Sequence, residues 1–218
     1  MIRDLLDAVV SALLSPPCAA CRRVLDRPLA GAVCPQCWNS IVPIDCLFSI
    51  DVISHARAIG AYEGTLRDVL HALKYDGRRS VAPRLSRMMA MHGADVLRGA
   101  DLVVPVPLHR RRQRERGFNQ AEDLARGLGL PVVRALTRAR ATPPQVGLAA
   151  PARRANVEGA FELHRRWRGR PLERPTIVLV DDVATTGATL DACARVLNAA
   201  GAAEVRALTA ARVVSALR

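Results

Sequence analysis

The chain contains few aromatic residues and a single lysine. Three phenylalanines, two tyrosines and two tryptophans are spread over 218 residues, of which half are hydrophobic. We therefore predict a core built mainly from alanine, valine and leucine. The only lysine is Lys74, and no Gly-Lys-Ser or Gly-Lys-Thr sequence occurs, which excludes a Walker A nucleotide loop.

The chain also lacks a long apolar run. None approaches the roughly 18 residues that a membrane-spanning helix needs, so we predict no membrane span. Residues 1–14 have apolar side chains at helical spacing, but Asp4 and Asp7 interrupt them and no basic segment precedes them, which argues against a secretory signal. We expect a cytoplasmic protein whose six cysteines are ligands or core residues rather than disulfides.

The charge balance is strongly basic. The net charge of +12 at pH 7 comes almost wholly from arginine. Such an excess favours polyanionic partners or substrates, such as nucleic acid or pyrophosphate. A genome biased towards arginine codons would give the same excess, so two explanations stay open.

Two Cys-x-x-Cys pairs lie near the amino terminus, twelve residues apart. The four cysteines are Cys18, Cys21, Cys34 and Cys37. Four thiolates at this spacing match the tetrahedral coordination that Zn²⁺ prefers, and a closed set leaves no position for a substrate. The pattern predicts a structural zinc; redox pairs and chance are the alternatives.

The cysteine-rich composition ends between residues 45 and 54. We predict an amino-terminal helix and zinc module over residues 1–50 and a second, larger domain over residues 51–218. Because metal binding supplies the folding energy of so small a module, chelation should melt residues 16–48 without necessarily melting the rest. Cys46 lies outside the zinc spacing, and Cys193 falls on the apolar face of a predicted helix.

The most informative stretch runs from residue 176 to residue 190. Residues 177–180 form an apolar, β-branched run of the kind that a strand buried on both faces of a parallel sheet needs. The acidic pair Asp181 and Asp182 follows, then a small polar loop, then apolar residues at helical spacing from Leu190. A hydroxyl-rich loop at a helix amino terminus is suited to hold a phosphate. The acids would then face neutral hydroxyls or a divalent cation.

This stretch resembles the motif by which type I phosphoribosyltransferases bind 5-phosphoribosyl-1-pyrophosphate (PRPP). The resemblance implies that Asp181 and Asp182 hold the ribose 2′- and 3′-hydroxyls and that Mg²⁺ accompanies PRPP. It places the 5′-phosphate on Ala184, Thr185, Thr186, Gly187, Ala188 and Thr189. The alternative is a Rossmann-like strand whose acids merely end the sheet.

A second stretch of interest is dense in arginine. It follows a predicted buried strand over residues 102–107 and precedes a helix that Asn119 and Glu122 would begin with a capping box. Its arginines are Arg110, Arg111, Arg112, Arg114 and Arg116. We predict a loop at the sheet edge where the acidic pair also lies. Guanidinium groups there would meet the pyrophosphate of PRPP, a nucleic-acid backbone or both, unless the loop is only solvated.

The same region resembles the ComF family. The resemblance rests on Val104-Pro-Val-Pro-Leu-His and Arg116-Gly-Phe-Asn-Gln, and on a later set comprising Arg138, residues 145–148, Arg153, Asn156 and residues 159–161. It implies an α/β protein: a type I phosphoribosyltransferase-like open parallel sheet with a small N-terminal zinc-binding module. Several members are needed for uptake of single-stranded DNA in natural transformation, which makes single-stranded DNA and a DNA-uptake helicase candidate partners. Many relatives carry a further Cys-x-x-Cys, where this chain has only Cys46.

Other segments give weaker predictions. We expect strands over residues 56–62, 132–137 and 205–213, a capping box at Thr65 and Asp68, and a helix capped by Ser80. The phosphoribosyltransferase resemblance implies that residues 137–161 are a flap over PRPP, with disorder as the alternative. Residues 165–170 are either a stacking platform for a base around Trp167 or a solvated turn.

Two functions remain open at this stage. The first is a DNA-uptake factor that binds PRPP with Mg²⁺ and single-stranded DNA. The second is a metabolic phosphoribosyltransferase that acts on an unidentified base or amine. A third, weaker possibility is a sheet that keeps the motif only structurally. The sequence identifies no catalytic residue, because the position that holds an aspartate in 6-oxopurine enzymes is Thr185 here, and a threonine is no general base at neutral pH.

Overall fold

We analysed a computed structural model of the chain, which describes residues 2–14, 16–44, 46–140, 157, 159–169 and 172–214. Its main sheet has five strands in the order β1-β2-β7-β6-β3. The strands are β1 (Cys46–Ile50), β2 (Ile53–Ala58), β3 (Leu102–Pro105), β6 (Thr176–Ala184) and β7 (Glu204–Arg212). A separate hairpin pairs β4 (Leu136–Arg138) with β5 (Phe161–Leu163). Four main-sheet strands are parallel, and only β1 pairs antiparallel, with β2.

Helices cover both faces of this sheet. They are α1 (Ile2–Leu14), α2 (Pro35–Asn39), α3 (Gly64–Tyr75), α4 (Ala82–His92), α5 (Ala94–Leu97), α6 (Arg110–Arg116), α7 (Gln120–Ala125) and α8 (Ala188–Ala199). Short 3₁₀ turns span Pro28–Ala30 and Arg79–Val81. None of the helices in the described ranges is long and apolar enough to cross a membrane.

Strand β6 lies between β7 and β3 and is buried on both faces, as its apolar sequence predicts. Val178 and Val180 belong to a core shared with α3, α4 and α7, while Ile177 and Leu179 belong to a second core shared with α8. This alternation is the period of two that a strand imposes on its side chains. The predicted last strand is also confirmed, as β7.

The four-cysteine segment is attached to the first of these cores. Cys18, Cys37 and Trp38 pack in the same hydrophobic cluster as residues of α3 and α4, and the Arg84 guanidinium lies 5.0 Å from the Trp38 ring centroid. Pro17 accepts a hydrogen bond of 2.8 Å from the side chain of Arg78. Strand β1, which precedes the proposed domain boundary, is already part of the main sheet.

Two of the predicted helix caps are wrong, although both helices form. Helix α3 begins at Gly64 without a side-chain cap, and the hydroxyl of Thr65 instead lies 2.9 Å from that of Ser40. Ser80 lies inside the 3₁₀ turn, and α4 begins after it with a proline in its first turn. A contact with Ser40 at Thr65, and a 3₁₀ turn around Ser80, replace the caps that the local spacing predicted.

The prediction of a cap at Asn119 is confirmed in its first half. The Asn119 side-chain oxygen accepts a 3.0 Å hydrogen bond from the Ala121 amide, while its Nδ2 donates 3.0 Å to the Val106 carbonyl. Asn119 thereby fixes the start of α7 to the end of β3. Glu122 does not complete the box, because its carboxylate instead binds Arg126 and Arg134.

Three further strand or loop predictions need correction. Strand β2 begins and ends a few residues before the predicted range of 56–62. Within residues 132–137, only the last two belong to β4, while Val132 makes a single bridge to Val103. The arginine-dense segment is the helix α6 rather than a loop. Most of the predicted flap, including residues 145–148, Arg153 and Asn156, lies outside the described residues.

Candidate functional site

A cleft with a volume of about 980 Å³ opens at the carboxyl edge of β3 and β6. The end of α3, helix α6 and the start of α7 surround it. This is the edge at which open parallel sheets bind ligands, because the strands end there and the following loops diverge. Its lining includes the side chains of Tyr62, Lys74, Tyr75, Arg112, Arg116, Gln120, Arg138, Asp181, Asp182, Thr185 and Thr189.

The two acids that the sequence singled out both line this cleft. Asp181 is half-buried and Asp182 is buried, with the Asp182 amide donating a 2.9 Å hydrogen bond to Asp181 Oδ1. Burial and the neighbouring charge of Asp182 raise the pKa of Asp181 to about 7, against the opposing effect of Lys74. Two carboxylates held this close favour a cation or hydrogen-bond donors beside them.

A cation is already present at Asp182, and sequence reasoning missed it. The Lys74 ammonium, at the end of α3, lies 3.0 Å from Asp182 Oδ1, and the two side chains are only 16% and 6% exposed. Burial alone would lower the pKa of Lys74, but the carboxylates of Asp182 and Asp181 raise it above its ordinary value. Asp182 Oδ2 is buried and has no hydrogen-bond partner among the described residues.

The polar loop after the acids continues the same wall. Thr185 and Thr189 line the cleft, and Ala184, Gly187 and Ala188 line a smaller cavity of about 190 Å³ that shares Asp181 and Lys74 with it. Helix α8 starts at Ala188, so its first amides point towards this end of the loop. Thr186 is exposed and lines neither cavity; its hydroxyl accepts a long 3.5 Å contact from the Ala188 amide.

Gly187 is required by the shape of this loop. Its φ of 80° lies in the left-handed region, where residues with a side chain are strained. A Cβ atom at this position would also lie 2.9 Å from the side chain of Ile50 on β1. The loop therefore turns tightly against the sheet at Gly187, which lines the smaller cavity.

The five predicted arginines separate into two groups because they lie on a helix. Arg112 and Arg116, four residues apart, are half-buried and line the cleft. Arg110, Arg111 and Arg114 are exposed and are not among the lining residues, and Arg111 pairs with Glu115 at 2.8 Å. Only one face of α6 therefore reaches the acidic pair's cleft.

Arg138 joins the cleft from the β4–β5 hairpin. Its guanidinium lies 5.3 Å from the Phe161 ring centroid, and burial together with the charge of Arg112 lowers its pKa. Arg138 was predicted to matter only through the ComF resemblance. Its position adds a third guanidinium to the wall that carries Arg112 and Arg116.

Both tyrosines of the chain also line the cleft, although the sequence shows no recognisable aromatic base-binding segment. Tyr75 is 64% exposed, with the Arg116 guanidinium 5.5 Å from its ring centroid and the His71 ring 4.6 Å away. Tyr62 lies beside Lys74, whose ammonium is 5.8 Å from its ring centroid. These residues form an aromatic and cationic rim at one side of the opening.

A buried amide completes the lining. Gln120, at the start of α7, is only 5% exposed, and its Oε1 atom has no hydrogen-bond partner among the described residues. An unpaired buried acceptor is unfavourable unless a donor is supplied from outside the chain. In the sequence, Gln120 stands out only as the last residue of the Arg116-Gly-Phe-Asn-Gln stretch.

The four predicted zinc cysteines lie together beside the first core, to which Cys18 and Cys37 belong. Their Sγ atoms are all within 4.8 Å of one another. Cys34 and Cys37 come from the start of α2, and the Cys34 amide donates a 3.3 Å hydrogen bond to Cys18 Sγ. Cys46 lies on β1 and Cys193 is buried in α8, and neither belongs to the cluster.

The electrostatics of this cluster favour metal binding. Although burial opposes it, hydrogen bonds from the backbone of Cys34, Cys21 and Ala20 lower the pKa of Cys18 to about 6. Burial and the neighbouring thiols raise the pKa of Cys37 to about 12. The thiols cannot all ionise without a positive charge among them, and a metal ion supplies that charge. The geometry and chemistry of the cluster therefore suit a metal ion.

Comparison with known proteins agrees with this architecture. The family model described as "Phosphoribosyl transferase domain" matches residues 114–216. The chain is 34% identical over 206 residues to the DNA utilization protein YhgH of Escherichia coli K12, with 87% of each protein covered. It is 33% identical over 164 residues to Competence protein F of Haemophilus influenzae, with 71% of each covered. It is 28% identical over 207 residues to Competence protein ComFC of Bacillus subtilis, covering 89% of this chain and 83% of that one.

The fold and the matched domain define the class: an α/β protein with a phosphoribosyltransferase-type domain and an amino-terminal four-cysteine cluster. Within that class, the chain belongs to the ComF/YhgH family. The predicted family and fold class are confirmed. A solved structure of the allosteric regulatory enzyme of purine biosynthesis also matches, with a TM-score of 0.40 and 24% identity over 61% of this chain and 26% of its own.

Proposed function

We propose that this protein binds PRPP in the cleft above β6 and binds single-stranded DNA along the adjoining face of α6. One observation carries the proposal: Asp181, Asp182 and the threonine loop share a single cleft with Arg112 and Arg116. A phosphorylated pentose needs acceptors for its hydroxyls and donors for its phosphate. A pyrophosphate or a phosphodiester backbone needs guanidinium groups. The cleft offers all three kinds of group.

The proposed arrangement assigns a part to each group. Asp181 and Asp182 accept hydrogen bonds from the ribose 2′- and 3′-hydroxyls, and residues 184–189 bind the 5′-phosphate. Arg112, Arg116 and Arg138 meet the pyrophosphate or the nucleic-acid backbone. Tyr75 at the rim offers a ring on which a base can stack.

Calorimetry with PRPP and Mg²⁺ tests the first half of this proposal. The wild-type protein should bind PRPP saturably. The affinity of Asp181→Asn for PRPP should be at least about tenfold lower, because a charged acceptor is lost. Asp68→Asn, which changes an exposed acid on α3 outside the cleft, is the matched control and should bind like wild type. Absence of saturable heat with the folded wild-type protein would refute PRPP binding.

Titration of a labelled single-stranded oligonucleotide at rising salt tests the second half. If α6 neutralises phosphates, log affinity should fall linearly with log salt, at roughly 0.7 per phosphate contacted. Binding that is equally strong at high salt, or no binding at low salt, would remove single-stranded DNA from the proposal.

The four-cysteine cluster would hold a structural Zn²⁺, because four thiolates suit that ion and leave no open coordination position. A reducing compartment such as the cytoplasm keeps such thiols available, and all six cysteines are free thiols here. Two relatives are named as competence proteins and one as a DNA utilization protein. On that likeness we propose a role in DNA uptake, with a DNA-uptake helicase as candidate partner.

A metabolic phosphoribosyltransferase is the second candidate, and one observation favours it. The Gln120 side chain lines the same cleft as the acids, and its buried Oε1 atom has no hydrogen-bond partner among the described residues. The rings of Tyr62 and Tyr75 line this cleft too. An amide and a stacking ring together can bind a base that would accept the phosphoribosyl group. Pyrophosphate release from PRPP in the presence of purine or pyrimidine bases would support transfer. If the protein binds PRPP but no base increases the release of pyrophosphate, the protein binds PRPP without transferring the phosphoribosyl group to a base.

A further inference from the structure

The chain's single lysine lies against the acidic pair, where its ammonium contacts a carboxylate oxygen that a divalent cation would otherwise use. Every other basic residue apart from the histidines is an arginine, and Lys and Arg together number 32. Lys74 is half-buried, reaches the cleft from the end of α3 and contacts Asp182 Oδ1 at 3.0 Å. Unlike the planar guanidinium fork, an ammonium is a compact point charge of the kind that fits a single carboxylate oxygen.

The donor set around the pair does not suit a directly bound Mg²⁺. That ion demands near-octahedral oxygen ligands at about 2.0–2.1 Å and is repelled by an ammonium beside them. Asp182 Oδ1 already contacts the Lys74 ammonium, and Asp181 Oδ1 accepts a hydrogen bond from the Asp182 amide. Asp182 Oδ2 is a further acceptor, buried and without a hydrogen-bond partner among the described residues.

We propose that Lys74 is the fixed cation of this acidic pair: it holds Asp182 in place, keeps divalent cations off Asp181 and Asp182, and leaves Asp182 Oδ2 to accept a hydrogen bond from a neutral hydroxyl of the ligand. Mg²⁺ then travels with the pyrophosphate of PRPP instead of binding to the acids. This deepens the proposed function and rests on it for the identity of the ligand. The exclusion of divalent cations does not depend on PRPP.

Mn²⁺ alone, titrated into the zinc-loaded full-length protein at pH 8, tests the exclusion. Free Mn²⁺ can be followed by electron paramagnetic resonance. The wild-type protein should show no Asp181-dependent Mn²⁺ site up to about 1 mM, because one ammonium neutralises half the pair's charge. Lys74→Met should gain one site that binds at least about tenfold more tightly, since two carboxylates then lack a counter-charge. Lys74→Arg, which keeps the charge, should not gain it.

Two further variants make the result specific. Lys74→Met combined with Asp181→Asn should lose the gained site, which locates it at the acidic pair. Lys74→Gln serves as a second neutral variant if Lys74→Met does not fold, as judged by circular dichroism. A Mn²⁺ site in the wild-type protein that Asp181→Asn abolishes would overturn the inference without any lysine variant. So would a folded neutral variant that gains no site.

Calorimetry with PRPP on the same proteins separates this inference from the proposed function. If wild-type protein binds no PRPP but Lys74→Met gains the Mn²⁺ site, the proposed ligand is wrong and the role of Lys74 as the fixed cation stands. If wild-type protein binds PRPP and also binds Mn²⁺ at Asp181, the ligand stands and the role of Lys74 is wrong.

Discussion

The guanidinium of Arg116 lies 5.5 Å from the ring centroid of Tyr75, which joins the arginine helix α6 to the end of α3 at the rim of the cleft. Tyr75 is the exposed member of this pair, at 64%. A flat ring beside a guanidinium offers both a stacking surface and a phosphate donor to one nucleotide.

We therefore expect Tyr75→Leu to weaken single-stranded DNA binding about fivefold to a hundredfold, which corresponds to about 1–3 kcal/mol of stacking. Tyr75→Phe keeps the ring and should bind like wild type. Because no charge changes, the dependence of affinity on salt should be the same in all three proteins. Fluorescence anisotropy with a labelled oligonucleotide measures both quantities. Equal affinities for Tyr75→Leu and Tyr75→Phe would contradict stacking at this ring.

The two faces of α6 allow a charge-matched comparison. Arg112→Ala with Arg116→Ala removes the two cleft-facing arginines, and Arg110→Ala with Arg114→Ala removes two exposed ones. Each double variant lowers the net charge by the same amount. If the cleft binds PRPP and the strand's backbone, the first pair should lose at least about tenfold in affinity for either ligand, and the second pair much less.

Calorimetry with PRPP and anisotropy with the oligonucleotide check this prediction. An equal loss of DNA affinity in both double variants would mean that DNA meets α6 through its overall charge and not through the cleft. Circular dichroism should show that both variants stay folded, since none of the four side chains is buried.

Asp181 gives a prediction for stability against pH. Its pKa is raised from the ordinary 3.8 to about 7, so between those values the folded state keeps a proton that the unfolded state has lost. The free energy of unfolding should therefore fall as pH rises through this window, by up to about 1.4 kcal/mol per pH unit.

Asp181→Asn removes that titration. Urea unfolding from pH 4.5 to pH 8 should show the variant gaining stability relative to wild type as pH rises, with the difference levelling off above about pH 7. A difference that stays constant over the whole range would show that Asp181 titrates at its ordinary pKa.

Gly187→Ala tests how closely the loop of residues 184–189 packs against the sheet. Gly129 has almost the same φ, 79° against 80°, but a Cβ atom there would meet nothing within 4 Å. Both substitutions bear the strain of a left-handed backbone, about 1–2 kcal/mol. Gly187→Ala should be more destabilising by about 1–3 kcal/mol, because its Cβ atom would overpack Ile50.

Urea unfolding of both variants measures the difference, and calorimetry should show weaker PRPP binding only for Gly187→Ala. Equal destabilisation by the two substitutions would mean that Ile50 moves aside without loss.

The cysteine cluster predicts one zinc ion per chain. Serine substitution of Cys18, Cys21, Cys34 or Cys37 should abolish stoichiometric zinc, whereas Cys46→Ser and Cys193→Ser should keep it, because neither lies in the cluster. Metal analysis of protein purified without added chelator checks the count. Zinc bound equally by Cys37→Ser and Cys46→Ser would remove the four-cysteine assignment.

Removal of zinc should alter more than the metal content. Trp38 lies in α2 beside Cys37 and packs in the same core as α3 and α4. We expect chelation to change tryptophan fluorescence as residues 16–44 lose their fold, while far-ultraviolet circular dichroism of the main sheet persists. Full unfolding on chelation would show that the two parts fold as one unit.

Several features of this protein could be read directly from short stretches of the chain. The strand, acids, loop and helix of residues 176–199 are consecutive, and the periodicity of the strand and the small loop residues are local properties. The four cysteines and the Asn119 cap are likewise set by spacing along the chain. Each depends on neighbours a few residues away, so the sequence was sufficient to predict it.

Helix α6 is a feature that local sequence patterns did not predict. Its seven residues contain no apolar side chain, so they have no hydrophobic periodicity to mark a helix. The helix is defined instead by His109, whose ring accepts from the Arg111 amide, and by the left-handed Gly117 at its end. Only that helical geometry separates Arg112 and Arg116 from their exposed neighbours.

What the tertiary structure alone decided is which distant side chains meet at the acidic pair. Lys74 and Tyr75 end a helix that precedes β3, and Gln120 begins one that follows it. No spacing along the chain relates these residues to Asp181 and Asp182. They meet because parallel strands and the helices between them bring their ends to the same edge of the sheet. At that edge, one ammonium and two carboxylates are buried close together, which shifts the pKa of Lys74 and that of Asp181.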